Sequence, residues 1–596
     1  MTADPPGTSP LAWTDDGQPR SALFGDVYFS AEDGLAETGA VFLQGCGLPE
    51  AWSGRRRFVV GELGFGTGLN IAALLDLWRR HRPPGGQLHI FSIEAHPITA
   101  DEAARALARW PELSQTVALL TSRWPGRARG RHRVDLPELD AVLDLAVMDV
   151  ADALEGWSGL ADAWFLDGFS PALNPQMWRD EILDLVARRS APGARAATFT
   201  VAGQVRRGLA AAGFAVEKRP GFGRKRERLE ARFPGEASPR AVRRVAVVGA
   251  GVAGASAARA LRALGCEAVV IEAERPGDGG SGNPAGLVTP RLDAGLGEAS
   301  RLFAQAFGRA VALYEALPDA VLSRGVLQLA AEARDVDRYA RIAASDVFEP
   351  GALAMLSAQE VGARLGEGAP PALDQRGALV IAPAAVLAAW TGAAVRARVA
   401  ALVRDPDGWS LRDAAGDEIV RADAVILANA LAARDLAPDA LRLQPVRGQA
   451  TWTTEPLAAP AVAWGGYALA MPQGLLFGAT HDRDDAGTDL REGDHARNLA
   501  TLSAALPTLG ARAAALPLSG RASVRAVTPD RLPVAGEIEP GLFALTGFGS
   551  RGFSLAPLLA EHVAALAAGA PSPISRDAAD LVAPGRFALR EARRRS

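Results

Sequence analysis

Cysteine and lysine are almost missing from this sequence. Cys46 and Cys266 are the two cysteines among 596 residues. They are too few and too far apart for a disulfide framework or a cluster of metal ligands, so we expect two inert packing residues and no metal site. Lys218 and Lys225 are the two lysines. Positive charge is therefore carried almost wholly by arginine, a compositional bias to which we attach no function.

Long hydrophobic runs are also lacking. The longest nearly uncharged run, 378–390, is well short of the ~20 residues that cross a bilayer. The first residues, MTADPPGTSPLAWTDD, have no basic stretch followed by an apolar core, so we expect no secretory signal. These absences predict a cytoplasmic protein without membrane contact. No sequence feature indicates an obligate protein partner.

The residues that are present have the balance of a globular protein. Apolar residues make up 48% of the chain and charged residues 22%, which excludes a disordered chain. The length suggests about two to four domains. A net charge of −4 argues against a surface coated in positive charge for nucleic acid, yet it leaves room for local basic segments.

A short apolar strand runs directly into a glycine-rich loop near residue 60. The run 57–63 predicts a buried strand, and 69–80 has the apolar spacing of a helix. Between them stand Gly64, Gly66 and Gly68, which let the backbone approach a ligand at the N-terminus of the helix. Their G-x-G-x-G spacing resembles motif I of class I methyltransferases, which use S-adenosylmethionine. An ordinary turn is the alternative for this loop taken alone.

Acidic residues at the ends of strands strengthen the methyltransferase interpretation. Glu62 precedes the glycine loop, and Glu94 ends the next predicted strand, where a carboxylate can accept hydrogen bonds from ribose hydroxyls. Two later strands end in Asp149 and Asp167. In the methyltransferase fold the loops after these strands flank the adenine and the methyl group. Asp149 would therefore contact the base, and Asp167 would face the transferred methyl.

Asp167 is the candidate catalytic residue of this half. Methylation of an amine needs a free lone pair on nitrogen, so a carboxylate beside the acceptor can orient the N–H or take its proton. The alternative is that Asp167 only caps the next turn. The remaining pattern to residue 235 is typical of the antiparallel end of a methyltransferase sheet: helix 177–189, a Pro192-Gly193 turn, strand 196–201, a helix ending near Gly213, and strand-like runs at 214–218 and 228–233.

A second nucleotide-binding unit follows a turn-rich linker at 236–243. The run 244–248 predicts a buried strand, and Gly249, Gly251 and Gly254 follow with the G-x-G-x-x-G spacing of dinucleotide sites. A helix and a second strand then lead to Glu272. This combination of strand, loop, helix and acid is the strongest single signal in the sequence.

Later segments favour FAD over NAD as the dinucleotide. Ser281 and Asn283 lie in a run of small residues, 279–286, that could contact the pyrophosphate or the flavin. A late strand, glycine loop and helix at 541–566 is typical of oxidases of the glycine oxidase and D-amino-acid oxidase type. We therefore predict an α/β chain with a class I methyltransferase domain at 1–235 and an FAD domain, with a Rossmann half and a mixed-sheet substrate subdomain, at 244–596.

Two arginines are candidates for the oxidase site. In such oxidases an arginine commonly grips the substrate carboxylate, because its planar fork makes two parallel hydrogen bonds. We assign the carboxylate to Arg525 and the flavin edge to Arg551, with an ordinary ion pair as the alternative for each. No acid or base for the oxidation is evident, which is tolerable because hydride transfer is the cofactor's chemistry.

The order of the two halves, together with 162–171, 198–200, 205–209 and 547–552, resembles the MnmC family of bifunctional tRNA 5-methylaminomethyl-2-thiouridine biosynthesis proteins. The resemblance covers nearly the entire chain. One departure is Met148 before Asp149, where a small residue is expected. The resemblance implies oxidative removal of the carboxymethyl group from 5-carboxymethylaminomethyl-uridine at the tRNA wobble position. The exposed amine would then be methylated with S-adenosylmethionine.

A tRNA substrate requires basic surface, and arginine-rich segments are candidates for it. Between 218 and 228 the basic residues are Lys218, Arg219, Arg224, Lys225, Arg226 and Arg228; further ones are Arg206, Arg207, Arg590, Arg593, Arg594 and Arg595. Such a run is more often a solvated face, so alone it proves nothing. Beside two sites of this type we interpret it as a contact with the phosphate backbone.

Two other functions fit the same motifs. One is an amino-acid oxidase fused to a small-molecule N-methyltransferase, for which free glycine or sarcosine would be good substrates. The other is a flavin-containing binding or redox-sensing module without turnover, whose flavin no amine would reduce. Salt-dependent affinity for tRNA separates the first of these from a tRNA-modifying enzyme, because phosphate contacts release counterions.

Overall fold

The computed structural model describes residues 9–15, 17–30, 32–223, 226–236 and 243–595. The chain divides into two units, Met1–Ala241 and Val242–Ser596. Most of the predicted linker, 237–242, lies outside the described residues.

The first unit contains ten strands and seven α-helices within the ranges just given. The strands are β1 Leu11–Trp13, β2 Pro19–Ser21, β3 Arg57–Leu63, β4 Gln87–Ile93, β5 Gly130–Leu136, β6 Ala141–Val147, β7 Ala161–Leu166, β8 Ser190–Thr198, β9 Ala215–Pro220 and β10 Glu227–Arg232. The helices are α1 Gly34–Thr38, α2 Leu69–His81, α3 Ala100–Leu107, α4 Ser114–Ser122, α5 Val150–Gly156, α6 Asp180–Arg188 and α7 Gly203–Ala211.

Eight of these strands form one sheet in the order β5-β6-β4-β3-β7-β8-β10-β9. Strands β6, β4, β3, β7 and β8 are parallel, whereas β10 is antiparallel to β8 and to β9. The central strand β3 is buried on both faces: Phe58 and Val60 belong to one core cluster, and Val59 and Leu63 to another. Apolar side chains at successive positions are what a strand covered on both faces requires.

The structure corrects two of the predicted elements in the first unit. Met177 does not begin the helix: it lies in a 3₁₀ turn, Pro175–Trp178, and α6 starts at Asp180. Pro192 and Gly193 do not form a turn before the strand but lie inside β8. The pairing shifts there from Ala161 opposite Ser190 to Ala163 opposite Arg195. This bulge absorbs the extra residues, and Gly193 has a φ of 77° within it.

The second unit contains nineteen strands and eleven α-helices in the described part of the chain. The strands are β11 Arg244–Val248, β12 Glu267–Glu272, β13 Gly286–Val288, β14 Val321–Leu329, β15 Leu353–Leu356, β16 Ala372–Ile381, β17 Ala394–Arg396, β18 Ala401–Asp405, β19 Gly408–Arg412, β20 Glu418–Ala422, β21 Ala424–Leu427, β22 Gln444–Thr453, β23 Val462–Ala463, β24 Tyr467–Met471, β25 Gly474–Gly478, β26 Asp482–Arg483, β27 Leu518–Val527, β28 Val534–Glu539 and β29 Leu542–Thr546. The helices are α8 Val252–Ala263, α9 Glu298–Glu315, α10 Ala333–Ala343, α11 Ala358–Leu365, α12 Pro383–Thr391, α13 Ala433–Leu436, α14 Glu492–Ala505, α15 Pro507–Ala514, α16 Gly552–Ala568, α17 Arg576–Val582 and α18 Arg586–Arg595.

Three sheets organise this unit. A six-stranded sheet in the order β17-β12-β11-β21-β29-β28 is parallel except for β28. A ten-stranded mixed sheet includes β22, β25 and β27, and β18, β19 and β20 form a small sheet. Helices α8 and α16 pack on the parallel sheet in one apolar cluster. Its strands β11, β21 and β29 end at the same edge, where ligands bind in folds of this type.

Neither a membrane span nor a metal cluster is found among the described residues. No helix there is long and apolar enough to cross a bilayer. No group of three or more His, Cys, Asp or Glu side chains there could hold a metal ion. Cys46 and Cys266 are both buried and unpaired with each other.

Candidate cofactor and substrate sites

The first glycine loop follows β3 with all three glycines in a left-handed conformation. The φ angles are 90° at Gly64, 52° at Gly66 and 79° at Gly68. Neighbours also leave little room: a Cβ atom at Gly64 would lie 2.9 Å from the Asp167 carbonyl oxygen, and one at Gly68 would lie 3.0 Å from the Trp124 ring. Glycine is required here mainly by the backbone conformation.

Glu94 closes this loop against the next strand. Its Oε2 accepts a hydrogen bond from the backbone N–H of Gly66 at 2.9 Å, and its Oε1 accepts one from His96 N–H at 2.9 Å. The acid and the loop are therefore in direct contact. Each carboxylate oxygen has a second lone pair that a ligand hydroxyl can use.

Glu62 is fully buried beneath the loop. The Ser92 hydroxyl donates to its Oε2 at 2.5 Å, while Oε1 has no hydrogen-bond partner among the described residues. Burial raises the pKa of Glu62 to about 8, and the neighbouring Asp167 and Glu94 carboxylates add to the rise. An unsatisfied buried carboxyl oxygen at a nucleotide loop fits a site that is completed by a cationic ligand.

Asp167 lies just after β7, next to the same loop. Its Oδ2 accepts a hydrogen bond from Asn70 Nδ2 at 2.8 Å, and its Oδ1 accepts from the N–H of Gly168 at 2.9 Å. Asn70 in turn accepts from the Thr38 hydroxyl at 2.8 Å. The side chain therefore holds the turn that follows it, and an amide donor fixes its second oxygen. The sequence motifs do not mark Asn70, whose place in the first turn of α2 is the available signal.

Aromatic side chains stand beside Asp167. The Phe169 ring centroid lies 5.0 Å from that of Phe24 and 5.3 Å from that of Tyr28. The N–H of Ser170 donates to Asp26 Oδ2 at 3.0 Å, which joins the N-terminal segment to the loop after β7. Residues 24–28 carry no motif of their own, so their sequence alone does not mark them as part of a site.

Asp149 is placed differently from the other acids. It is exposed and forms the N-cap of α5, where its Oδ1 accepts a hydrogen bond from Ala151 N–H at 2.8 Å. A contact between Asp149 and adenine stays a prediction. The same carboxylate also caps the N-terminus of α5.

The second glycine loop follows β11, and its neighbours leave little room for side chains at Gly251 and Gly254. Only Gly249 has a positive φ, 103°. A Cβ atom at Gly251 would lie 3.2 Å from Ser281 Oγ, and one at Gly254 would lie 1.8 Å from the Gly249 carbonyl oxygen. Helix α8 can lie this close to the loop only without a side chain at Gly254.

Glu272 and Ser281 hold the second loop in place. Glu272 Oε2 accepts a hydrogen bond from Ala250 N–H at 2.7 Å, and its Oε1 accepts from Glu274 N–H at 3.0 Å. Ser281 Oγ accepts from Val252 N–H at 3.0 Å. The predicted second small-residue segment therefore contacts the start of α8.

A cavity of about 1250 Å³ opens from this loop. Its lining includes the predicted residues Gly249, Gly251, Glu272, Ser281, Asn283, Arg525 and Arg551. Asn429, after β21, also lines it, and its Oδ1 is buried without a hydrogen-bond partner in the described part of the chain. A large cavity that begins at a dinucleotide loop and holds an unsatisfied polar atom fits FAD.

Arg525 projects into this cavity from β27. Its Nη1 donates to the Thr480 carbonyl at 3.2 Å, and it forms no ion pair with any described residue. Burial lowers its pKa, and the nearby Tyr467 and Asp482 oppose that shift. The alternative of an ordinary ion pair is therefore not observed, and a partly buried arginine is left to face an anion.

Arg551 precedes α16 and also lines the cavity. Burial lowers its pKa, and Arg291 adds to this effect. The lining residues that were not singled out from the sequence include Arg291, Tyr467 and His481. Burial lowers the pKa of His481, and Arg525 contributes. No motif surrounds these three residues, so only the fold reveals them.

Comparisons with known proteins place both halves in one family. Residues 111–234 match the family of S-adenosyl-L-methionine-dependent methyltransferases, and residues 244–566 match the FAD dependent oxidoreductases. A tRNA 5-methylaminomethyl-2-thiouridine biosynthesis bifunctional protein MnmC from Caulobacter vibrioides is 63% identical over 98% of both chains. The chain belongs to the MnmC family. The MnmC protein of Maricaulis maris is 44% identical over 98% of this chain and 97% of its own.

Membership of the MnmC family confirms the predicted family, fold class and cofactors. The chain is an S-adenosylmethionine-dependent methyltransferase joined to an FAD-dependent oxidoreductase. Among solved structures, iminodiacetate oxidase from Chelativorans sp. BNC1 is 23% identical with a TM-score of 0.48, covering 55% of this chain and 96% of its own. Glycine oxidase from Geobacillus kaustophilus is 25% identical with a TM-score of 0.47, covering 55% and 95%.

The basic segment predicted for tRNA is largely neutralised by glutamates. Lys218 pairs with Glu227 at 2.7 Å, Arg219 with Glu217 at 2.6 Å, and Arg228 with Glu230 at 2.6 Å. Only the Lys218–Glu227 pair crosses from β9 to β10, as diagonal neighbours in the antiparallel register. The other two pairs join residues two positions apart on one face of the same strand. Arg224 and Lys225 lie outside the described residues. Phosphate contact by 218–228 stays a prediction, and three of its described cations already have glutamate partners.

Other predicted basic residues differ in their surroundings. Arg206 and Arg207 are exposed in the first turn of α7, which follows β8 at the carboxyl edge of the parallel strands. Arg590 pairs with Asp530 at 2.7 Å. The side chains of 593–595 are outside the described ones. Arg206 and Arg207 are thus predicted phosphate contacts that the structure leaves available to solvent, as is Arg226.

Proposed function

We propose that this chain converts the carboxymethylaminomethyl group of a tRNA wobble uridine into a methylaminomethyl group in two consecutive steps. The oxidase half removes the carboxymethyl group as glyoxylate: two electrons go to FAD, water supplies the aldehyde oxygen as the C–N bond is cleaved, and the primary amine is left. The methyltransferase half then methylates that amine. The supporting observation is the 63% identity over 98% of both chains with a protein named for this biosynthesis. We assign residues 1–235 to methyl transfer, 236–243 to a linker and 244–596 to oxidation.

In the oxidase half, the substrate is an N-substituted glycine. Arg525 binds its carboxylate through the guanidinium fork, and the buried surroundings strengthen this charge-assisted contact. Arg551 lies at the flavin edge. Bound FAD supplies the two-electron acceptor. The dinucleotide is held by Gly249, Gly251, Gly254, Glu272, Ser281 and Asn283.

In the methyltransferase half, the acceptor is a primary amine that must present a lone pair. Asp167, fixed by Asn70, orients the amine N–H or takes its proton. Bound S-adenosylmethionine supplies the methyl group. We assign its binding to Glu62, Gly64, Gly66, Gly68, Glu94 and Asp149.

The tRNA is bound through phosphate contacts that include Arg206 and Arg207, with the anticodon stem-loop as the recognised part. A cytoplasmic location agrees with this substrate. Affinity for tRNA should weaken steeply with salt, and replacing both arginines by glutamine should reduce the slope of log affinity against log salt by about 1.5 to 2. Binding that is insensitive to salt argues for a small-molecule substrate instead.

The direct test uses the purified protein, FAD, S-adenosylmethionine and tRNA that carries the carboxymethylaminomethyl group, followed by nucleoside analysis. We expect methylaminomethyl-uridine with both cofactors and aminomethyl-uridine when S-adenosylmethionine is omitted. Flavin-free protein should leave this tRNA unchanged yet still methylate tRNA that already carries the aminomethyl group. If neither product forms, the proposed function is wrong.

A further inference from the structure

Arg525 lies across the face of a neighbouring strand. Strand β27 pairs with β22 in antiparallel register, with Val446 opposite Arg525 and Gly448 opposite Ser523. Gly448 is therefore the diagonal neighbour of Arg525 on the same face of the sheet, within reach of a long side chain.

Gly448 provides the space in which the guanidinium rests. A Cβ atom at this position would lie 2.1 Å from Nη1, 2.2 Å from Nη2 and 2.3 Å from Cζ of Arg525. The φ angle of Gly448 is not in the left-handed range, so conformation does not demand glycine here. The guanidinium rests against the bare backbone of β22, and a single methyl group would occupy its position.

The guanidinium of Arg525 also donates a hydrogen bond to a backbone carbonyl oxygen, that of Thr480. Arg525 Nη1 donates to Thr480 O at 3.2 Å. Thr480 is held on both sides by Gln449: its N–H donates to Gln449 O at 3.1 Å, and its hydroxyl accepts from Gln449 N–H at 2.9 Å. Asn498 Nδ2 also donates to Gln449 O at 2.8 Å.

These groups are buried and cannot shift easily. Gln449 is fully buried, and Thr480 and Asn498 are nearly so. The Gln449 side chain accepts from Arg491 N–H at 2.9 Å and donates to Arg491 O at 2.9 Å. The carbonyl that meets Arg525 is thus part of a satisfied network, which holds its geometry more firmly than an exposed loop could.

We propose that Gly448 and Thr480 are positioning residues that preset the Arg525 guanidinium for the substrate carboxylate. The inference rests on the carboxylate-binding role given to Arg525 in the proposed function. Gly448 leaves the space and Thr480 supplies the acceptor, so the arginine is ordered before substrate arrives. Specificity for an N-carboxymethyl group then depends on a glycine that does not itself touch the substrate.

The test is Gly448→Ala in the full-length holoenzyme. The clashing atoms are the end of a flexible side chain, so we expect the guanidinium to move while the fold and the flavin spectrum remain. The kcat/KM for tRNA carrying the carboxymethylaminomethyl group should fall about 10- to 100-fold, as expected for a misplaced charged hydrogen bond. Gly493→Ala, on α14 where an added Cβ atom meets nothing within 4 Å, is the matched control.

A double-mutant cycle separates this role from general destabilisation. If Gly448 acts through Arg525, the alanine should have almost no further effect in the Arg525→Lys background, because the guanidinium it displaces is gone. The inference would be overturned if the losses of kcat/KM caused by the two substitutions were additive. It would also be overturned if the double variant lost its flavin.

A crystal structure of the Gly448→Ala holoenzyme gives a readout independent of the reaction. We expect Arg525 to have left the Thr480 carbonyl. A guanidinium still bound there overturns the positioning role even if the wild-type protein oxidises the tRNA. If the wild-type protein does not oxidise this tRNA, the proposed function fails, and the crystal structure alone then decides the geometry.

Discussion

The two glycine loops perform the same task in their respective units, but each needs glycine for a different reason. In the first loop Gly64, Gly66 and Gly68 all adopt left-handed φ angles. In the second loop Gly251 and Gly254 do not, and what they supply is room for Ser281 and for the helix itself. The first loop depends on backbone conformation at all three glycines, whereas the second depends on it at Gly249 and on close approach at the other two.

The acids that follow the two loops behave alike. Glu94 and Glu272 each accept one hydrogen bond from the N–H of a loop residue and one from the residue two positions after the acid. A feature shared by unrelated loops indicates that the acid serves the loop as well as the ligand. The two loops should therefore differ in how well each tolerates replacement of a glycine by alanine.

The largest effect is expected for Gly254→Ala. The added Cβ atom would lie 1.8 Å from a backbone oxygen, and backbone cannot yield as a side-chain end can. We expect loss of visible flavin absorption, with methylation of aminomethyl tRNA retained. Gly308→Ala, which has open space at α9, is the control. If the Gly254→Ala variant binds flavin normally, the loop does not need the space that glycine leaves at position 254.

Asp167→Asn should give the next largest effect. The amide keeps the shape and can accept one of the two hydrogen bonds that the carboxylate accepts, but it cannot take a proton. Methyl transfer should fall about 10²- to 10⁴-fold, measured on aminomethyl tRNA with saturating S-adenosylmethionine. The same change at the exposed Asp184 of α6 is the control. An unaffected rate would leave Asp167 with its structural role in the turn alone.

Glu62 should make binding of S-adenosylmethionine depend on pH. Its pKa is about 8 in the ligand-free protein, so the carboxyl is largely neutral at pH 7 and must lose a proton to pair with a cationic ligand. Affinity should therefore rise by up to about tenfold per pH unit as pH increases toward 8, then level off. Calorimetric titration in two buffers would detect the released proton.

Glu62→Gln provides the comparison for that titration. The amide cannot ionise, so its affinity for S-adenosylmethionine should be flat over the same range. A wild-type affinity that is also flat would show that Glu62 keeps its protonation state on binding.

The smallest effect is expected for Gly66→Ala. Alanine in a left-handed conformation costs about 1–2 kcal/mol, and the Cβ atom would lie 3.1 Å from the Tyr28 ring. Affinity for S-adenosylmethionine should fall about tenfold, without loss of fold. Gly39→Ala, which meets nothing within 4 Å and has an α-helical φ of −58°, is the control. A loss as complete as that at Gly254 would make the two loops equivalent.

The fold was largely predictable because its strands are local apolar runs followed by glycines and acids. Strand β11, its loop and α8 lie where the fingerprint predicts them. Pro192 and Gly193 misled the prediction because the same dipeptide serves a turn or a bulge. The choice between them depends on the pairing partner β7, which is distant in sequence.

The candidate sites were predictable only where a motif marks them. Glu94 and Glu272 are found by their place after a strand, and Arg525 by the chemistry that the resemblance implies. Asn70, Tyr467 and Gly448 have no such mark, because each matters through a neighbour brought close by folding. The charge on Lys218 was visible in sequence, but its partner Glu227 depends on the hairpin register.

The backbone hydrogen bonds to Glu94 and Glu272 bear on which nucleotides each site admits. A carboxylate held by two N–H groups cannot swing aside without breaking both. On the proposed assignment it would present a fixed negative charge beside the ribose hydroxyls of the ligand, and this charge would repel a phosphate carried on one of those hydroxyls. Each site would thus reject nucleotides phosphorylated on the ribose, so abundant metabolites of that kind would not compete with either cofactor.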